Sequence, residues 1–300
     1  MNIVDEIQKL KKEKNAVILA HNYQLPEIQD IADYNGDSLG LSVEASKTKA
    51  DIIIFCGVYF MAETAKILSP QKTVLIPDKE AGCPMADMIT GEELRALKKK
   101  HPNAKVICYV NSSAEVKAES DVCCTSANSI KVVEKFFKED DEIIFVPDKY
   151  LALYTASQIK RKFIFWHGYC PSHAKILSEY ILEKKKLYPN AEVLVHPECR
   201  PEITELADKV LSTGGMSKYV ANAKARDFII GTEEGMIYRL AKDNPGKNFY
   251  LASELAHCIN MKRITLDKVL ACLRTNRHEI FIGQDIIEKA GLSIRRMVEC

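Results

Sequence analysis

Three things are missing from this sequence, and each absence removes a class of protein. There is no excess of one charge: 42 Lys and Arg stand against 41 Asp and Glu, a net of +1. No overall basic field exists to hold a phosphate backbone, so nucleic-acid binding is not expected. There is no long apolar run, since stretches such as Ile52 to Val58 are strand-sized and a membrane span needs ~20 residues. Met1 to Asp5 open no apolar signal region, so the expectation is a cytoplasmic chain with no membrane or targeting segment. There is no Cys-x-x-Cys, although the chain has ten cysteines. That excludes zinc-ribbon and ferredoxin-type local clusters, and any metal site must gather its ligands from far apart. In a chain of this Lys and Glu content the cysteines read as reduced thiols rather than disulfides.

What is present is ample material for a packed core, with 47% hydrophobic and 28% charged residues over 300 positions. The chain also repeats itself. Segments starting at Glu13, Lys100 and Leu187 share Asn, a strand-like apolar run, a polar loop, a Glu, an Asp and then a hydroxyl residue. Asn15, Asn103 and Asn190 are spaced by 88 and 87, as are Glu27, Glu115 and Glu202, Asp33, Asp121 and Asp208, and Ser38, Ser126 and Thr213. Four anchors keeping both intervals without an insertion indicate three copies of one unit.

Cys83, Cys170 and Cys258 are separated by 87 and 88, and no other cysteine triplet keeps that period. If three similar units pack around a pseudo-threefold axis, three equivalent side chains converge there, which suits a three-thiolate metal centre. The plainer reading is three free cysteines in equivalent core slots. Cys56, Cys108, Cys123, Cys124, Cys199, Cys272 and Cys300 sit in apolar runs or keep no period and read as packing.

Each unit opens with a Lys-rich helix (Asp5 to Lys14, Gly91 to Lys100, Leu177 to Lys186) followed by a short apolar strand (Val17 to Ala20, Lys105 to Val110, Glu192 to Val195). A second short strand leads to the hydroxyl residue. Two later strands, Asp51 to Cys56 with Thr73 to Ile76, and their counterparts, flank a helix such as Met61 to Leu68. The expected fold class is α/β: three similar small domains, each a doubly wound parallel sheet of about four strands, around a pseudo-threefold axis. The boundaries expected are 1–88, 89–175 and 176–262, with C-terminal helices over 263–300 closing the fold. Ligands of such sheets bind beyond the strands' carboxyl ends, where the loops His21 to Pro26, Asn111 to Ala114 and His196 to Pro201 fall.

Several motifs taken together resemble the quinolinate synthases, the A proteins of de novo NAD biosynthesis. They are His21-Asn22-Tyr23-Gln24, Gly36-Asp37-Ser38-Leu39, Tyr109-Val110-Asn111-Ser112, Thr125-Ser126-Ala127-Asn128, Gly168-Tyr169-Cys170-Pro171-Ser172-His173, His196-Pro197-Glu198-Cys199 and Ser212-Thr213-Gly214-Gly215-Met216. The likeness runs from the first strand to the helix after Cys258. It implies three α/β domains holding a 4Fe-4S cluster by Cys83, Cys170 and Cys258. It implies condensation of iminoaspartate with dihydroxyacetone phosphate to quinolinate, with loss of phosphate and water, and an aspartate-oxidising enzyme as a candidate supplier of iminoaspartate. Three thiolates leave one iron without a protein ligand, so the cluster would act as a Lewis acid rather than an electron carrier.

The substrates carry two carboxylates and a phosphate, so donors are needed at the loops. The resemblance assigns substrate contacts to His21, Ser38, Tyr109, Val110, Asn111, Ser126, His173, His196, Pro197, Glu198, Ser212 and Thr213. A hydroxyl residue taken alone is more simply a helix N-cap or turn, and the shared period is what raises Ser38, Ser126 and Thr213. Proton movement in tautomerisation and ring closure calls for a base and a relay. The resemblance points to Glu198 as base, with Tyr109, Tyr23 and His21 also catalytic, although a strand-end Tyr is more often packed. His173 would meet the phosphate or a gate, and Cys170-x-x-His173 also reads as half a zinc site. Only Cys300 stands near the end, so no C-terminal redox pair is expected, and Trp166-His167 has no assigned role. Two other functions fit the residues alone: a zinc hydrolase or lyase on the same scaffold with Glu198 as base, and a non-enzymatic three-domain anion-binding protein.

Overall fold

The computed structural model describes residues 2–300. Its twelve strands form three four-stranded sheets. The first contains β1 Ala16–His21, β2 Tyr34–Gly36, β3 Ile52–Cys56 and β4 Thr73–Leu75 in the order β2-β1-β3-β4. The second contains β5 Lys105–Tyr109, β6 Val122–Cys124, β7 Ile143–Val146 and β8 Ile164–Phe165, ordered β6-β5-β7-β8. The third contains β9 Glu192–Val195, β10 Lys209–Val210, β11 Asp227–Gly231 and β12 Asn248–Leu251, ordered β10-β9-β11-β12. Every pairing is parallel, and the register repeats: Val17, Lys105 and Glu192, which are 88 and 87 apart, pair with Ile53, Ile143 and Phe228.

Local sequence explains the elements. The strands are apolar on both faces because helices cover both, and β1, β3, β5 and β7 are buried over nearly their whole length. The first helix begins at Ile3, earlier than the Lys-rich pattern suggests, because the Asn2 side chain accepts from the Asp5 N–H. The second opening helix is Gly91–Lys100, fixed by a capping box between Thr90 and Glu93. The third is Ser178–Leu187.

The repeated Asp has a structural use in all three units. Asp33, Asp121 and Asp208 each accept from a strand N–H fifteen residues earlier, at Ile18 (2.8 Å), Val106 (2.7 Å) and Val193 (2.7 Å). Their own N–H groups donate to the carbonyls of the same three residues. Each clamp joins the first strand to the start of the second, which fixes where the strand end, and hence the loop after it, emerges.

The cores are joined unequally. Strands of the first two sheets belong to one continuous apolar cluster with the C-terminal helices Leu266–Thr275 and Gln284–Val298. One face of the third sheet has its own cluster, including Ile176, Ile181, Val193, Val195, Ile203 and Ile229. Among the described residues no helix is long and apolar enough to cross a membrane.

Candidate active site

The carboxyl ends of the three first strands meet around a cavity of about 280 Å³. The repeat places one side chain at each strand end and another two residues later. His21, Tyr109 and His196 occupy the first position and Tyr23, Asn111 and Glu198 the second, and all six line the cavity. Equivalent backbone thus delivers six side chains, with four kinds of functional group, to one space.

Glu198 is the hub, only 3% exposed. Its Oε1 accepts from the Tyr109 hydroxyl at 2.6 Å and from Asn111 Nδ2 at 3.4 Å, so two donors of the second unit hold one oxygen of the third. Its Oε2 lies 2.7 Å from His173 Nδ1, off the line of a well-directed hydrogen bond, and 3.7 Å from His196 Nδ1. The rings of His173 and His196 stack with centroids 4.7 Å apart. Burial by itself would raise the carboxyl, but His173 and the Tyr109 hydroxyl outweigh it and hold Glu198 down as a carboxylate. The same charge, after burial, drives the Tyr109 and Tyr23 hydroxyls well up and keeps them protonated.

His21 and His196 are used alike. Each Nδ1 accepts a backbone N–H two residues on, from Tyr23 at 3.2 Å and Glu198 at 3.3 Å. Burial lowers both imidazoles to about 3, so they are neutral at physiological pH. With Nδ1 accepting, the proton is assigned to Nε2, and that of His196 lies 3.1 Å from Ser126 Oγ. A second set of bonds runs through the third unit: Thr232 Oγ1 bonds the Tyr23 hydroxyl and lies 2.9 Å from His173 Nε2. Nothing in the repeat arithmetic marks Thr232, because its partners come from the other two units.

The hydroxyl residues of the repeat all face the cavity, and the helix caps fall elsewhere. Asp37 and Ser212 are the N-caps, leaving Ser38 and Thr213 at the first helical position, and Ser126 stands in the turn before the Asn128 cap. Ser212 itself does not line the cavity; its hydroxyl accepts from Gly215 N–H and donates to Asp37 Oδ2 at 3.3 Å. Val110 and Pro197 are buried behind the cavity wall and do not line it either. Units one and three touch closely here. A Cβ on Gly214 would lie 2.5 Å from Asp37 Oδ2, so any larger residue there would have to displace the Asp37 carboxylate.

Cys83, Cys170 and Cys258 also line the cavity. Each stands three residues before a short 3-10 turn, at Ala86–Met88, His173–Lys175 and Met261–Arg263. The backbone N–H of the first residue of that turn favours the ionised form of each sulfur. Burial pushes the thiols up, to about 12 for Cys83, and at Cys83 and Cys170 the charge of a neighbouring sulfur pushes further. Sulfurs gathered so, with N–H donors already aimed at them, match a soft multi-thiolate metal centre, whose positive charge would remove the cost of ionising them together. The other seven cysteines form no disulfide, and of them only Cys300 is not buried. Trp166, unassigned from sequence, donates its indole N–H to the Met88 carbonyl at 2.7 Å, tying the strand before Cys170 to the turn after Cys83.

Two further groups, one buried and one half-buried, went unread in the sequence. Asp148 caps the helix Lys149–Ile159, and burial and the Glu198 charge raise its carboxyl far above the usual range. Lys262 donates to the Tyr23 carbonyl and pairs with Glu233 at 2.8 Å, fastening the Cys258 turn to the first unit.

Comparison with known proteins shows the family of this chain. The family model described as Quinolinate synthetase A protein matches residues 5–299. A quinolinate synthase of Dehalococcoides mccartyi (strain CBDB1) is 56% identical over 296 residues, covering 99% of this chain and 97% of the relative. Those of Alkaliphilus metalliredigens and Methanosarcina barkeri are 52% and 51% identical, with 99% of this chain covered in each case.

Proposed function

The chain belongs to the Quinolinate synthetase A protein family, and from that premise we propose that its cavity condenses iminoaspartate with dihydroxyacetone phosphate to form quinolinate. The observation that carries the reading is the convergence of neutral donors from three units around the buried Glu198 carboxylate and three sulfurs.

Those residues divide the work by charge. The substrates bring two carboxylates and a phosphate, and the cavity offers hydroxyls at Ser38, Ser126 and Thr213, the Asn111 amide and the Nε2–H groups of His21 and His196. Neutral donors bind anions without burying a lone cation beforehand. Asn22 Nδ2 donates to Thr213 Oγ1 at 3.0 Å and so aims that hydroxyl. Val110, Pro197 and Ser212 would contribute by shaping the backbone around these donors.

Glu198 is the base. It is ionised, and Tyr109 already shares a proton with its Oε1, so a proton taken from substrate has a path along the Glu198–Tyr109 bond. Tyr23 acts on the other side through Thr232 and His173, a second route for a proton between the first and third units. His21 packs edge-on against Tyr23 with centroids 4.6 Å apart and orients it.

Cys83, Cys170 and Cys258 would hold a 4Fe-4S cluster, which when bound supplies a Lewis-acidic iron free of protein ligands. One observation favours a different metal: ligand atoms of Cys170, His173 and Glu198 all lie within 4.8 Å of one another, as a single zinc would require. The three-cysteine set is not among the groups that compact, and wider spacing suits a cluster. The proposed units divide near residues 88, 175 and 262, and an aspartate-oxidising enzyme is the class that would supply iminoaspartate. The test is iron, acid-labile sulfide and zinc content of anaerobically prepared protein, followed by quinolinate formation from the two substrates. About four iron and four sulfide per chain with product formed supports the proposal; zinc at one per chain without sulfide sinks the cluster reading.

A further inference from the structure

In each unit one helix packs on a short helix of the next. Tyr59–Leu68 meets Ala114–Ala118, Lys149–Ile159 meets Pro201–Glu205, and Gly235–Asp243 meets Pro26–Ile31. The three seams are equivalent by the repeat, yet they are finished differently. At the first, the C-terminal helix Gln284–Val298 lies over both helices and over edge strand β6, burying Ala290, Ser293, Ile294 and Met297. At the third, Tyr238 and Lys242 grip the Asp30 carboxylate, and Gln29 Nε2 donates to the Gly235 carbonyl at 3.2 Å.

The second seam is an open groove of about 610 Å³, walled by Leu153 and Tyr154 on one side and Thr204 on the other, with Asp208 and Val210 along edge strand β10. An 87-residue step back from Thr204, Asp208 and Val210 lands on Lys117, Asp121 and Cys123. These are the residues that the C-terminal helix engages at the first seam. Ser293 Oγ donates to the Lys117 carbonyl at 2.8 Å, Arg296 donates to the Asp121 carbonyl, and Cys123 Sγ lies 3.4 Å from Ser293 Oγ. The open groove is therefore the repeat-related counterpart of a helix-binding groove that this chain fills with its own helix.

We infer that the second seam is a docking groove for a basic amphipathic helix of a partner protein. Helix is specified by the filled counterpart, whose occupant presents Ala290, Gly291, Ser293, Ile294 and Met297 to the seam and carries Arg295 and Arg296 in its last turn. Basic is specified by the rim, where Glu205 and Asp208 are exposed while the Lys209 ammonium is turned over the Tyr219 ring, 5.9 Å from its centroid. Such a helix would bridge two units whose inner faces meet at Tyr109–Glu198 and Ser126–His196, and the inference stands on the groove whether or not the proposed reaction is correct.

The probe is a fluorescein-labelled synthetic peptide with the sequence of residues 284–298, titrated into the full chain and read by anisotropy. Saturable binding is expected, weakened at least about tenfold by Leu153→Glu and by Thr204→Trp in the protein, and by Arg295→Glu with Arg296→Glu in the peptide. Unchanged Tm and far-ultraviolet circular dichroism would establish that both protein variants remain folded. Absence of binding, or binding indifferent to Leu153→Glu and Thr204→Trp, which would place the peptide at the first seam, overturns the inference. So would self-association of the chain in sedimentation velocity that the same two variants abolish, since the occupant would then be a second copy.

Discussion

Glu198 shows how a residue's role is set by what surrounds it. A carboxylate in so buried a place is costly unless it is hydrogen-bonded, and Tyr109, Asn111 and two imidazoles surround it. Glu198→Gln keeps the shape and removes the proposed base, so kcat for quinolinate formation should fall by roughly 10²–10⁴ in steady-state assays with the Tm little changed; retention of most activity would assign the base elsewhere. His21 and His196 make the opposite prediction about stability. Both are near 3 when folded against 6.5 in a model peptide. Below pH 6.5 the unfolded chain takes up protons that the native state refuses, so stability is full above that pH and falls as pH drops towards 3. Each contributes a slope of about 1.4 kcal/mol per pH unit. Denaturant titrations between pH 6.5 and 4.5 should show this slope diminished in His21→Asn and in His196→Asn; an unchanged slope would mean that neither is held neutral.

At the scale of elements, the three Asp clamps account for one of the anchors that revealed the repeat. The spacing of Asp33, Asp121 and Asp208 was legible; their partners at Ile18, Val106 and Val193 became visible only when the strands were in register. Asp121→Ala and Asp208→Ala should each cost about 1–3 kcal/mol in urea unfolding, the cost of leaving a strand N–H unpaired. Similar values at the two sites are expected from their shared geometry, and a negligible cost at both would mean that the period was preserved for another reason. Strand and helix positions were readable because the apolar runs and Lys-rich helix ends are local signals. Ser38 and Thr213 were less so: a hydroxyl before a helix reads as a cap, and only the structure shows Asp37 and Ser212 taking that part.

The whole molecule is three units sharing one cavity, so loss of any one sulfur should affect a centre common to all. Cys83→Ser, Cys170→Ser and Cys258→Ser should each lose most of the bound iron and sulfide and the colour they give, while Cys199→Ser, beside Glu198 but outside the triplet, should retain them. Iron and sulfide analysis of the four proteins decides the point, and full iron in any of the first three would remove that residue from the ligand set. The seams between units matter as much as the units: Trp166 to Met88, Lys262 to Tyr23 and Asp37 to Ser212 cross them. None of these could be read from a periodicity, which compares a unit with its copy and says nothing of what the copies touch.

By itself the sequence determined the three-unit α/β architecture and the spacing of the sulfur triplet. These follow from patterns that repeat along the chain, and repetition imposes equivalent backbone positions whatever side chains stand on them. Only the tertiary structure decided that Glu198 is the shared hub, that Thr232 links Tyr23 to His173, that Val110, Pro197 and Ser212 stand off the cavity, and that one of three equivalent seams is open. The reason is physical: packing three near-copies around one space brings together residues from different units, and those contacts depend on unlike side chains meeting across seams.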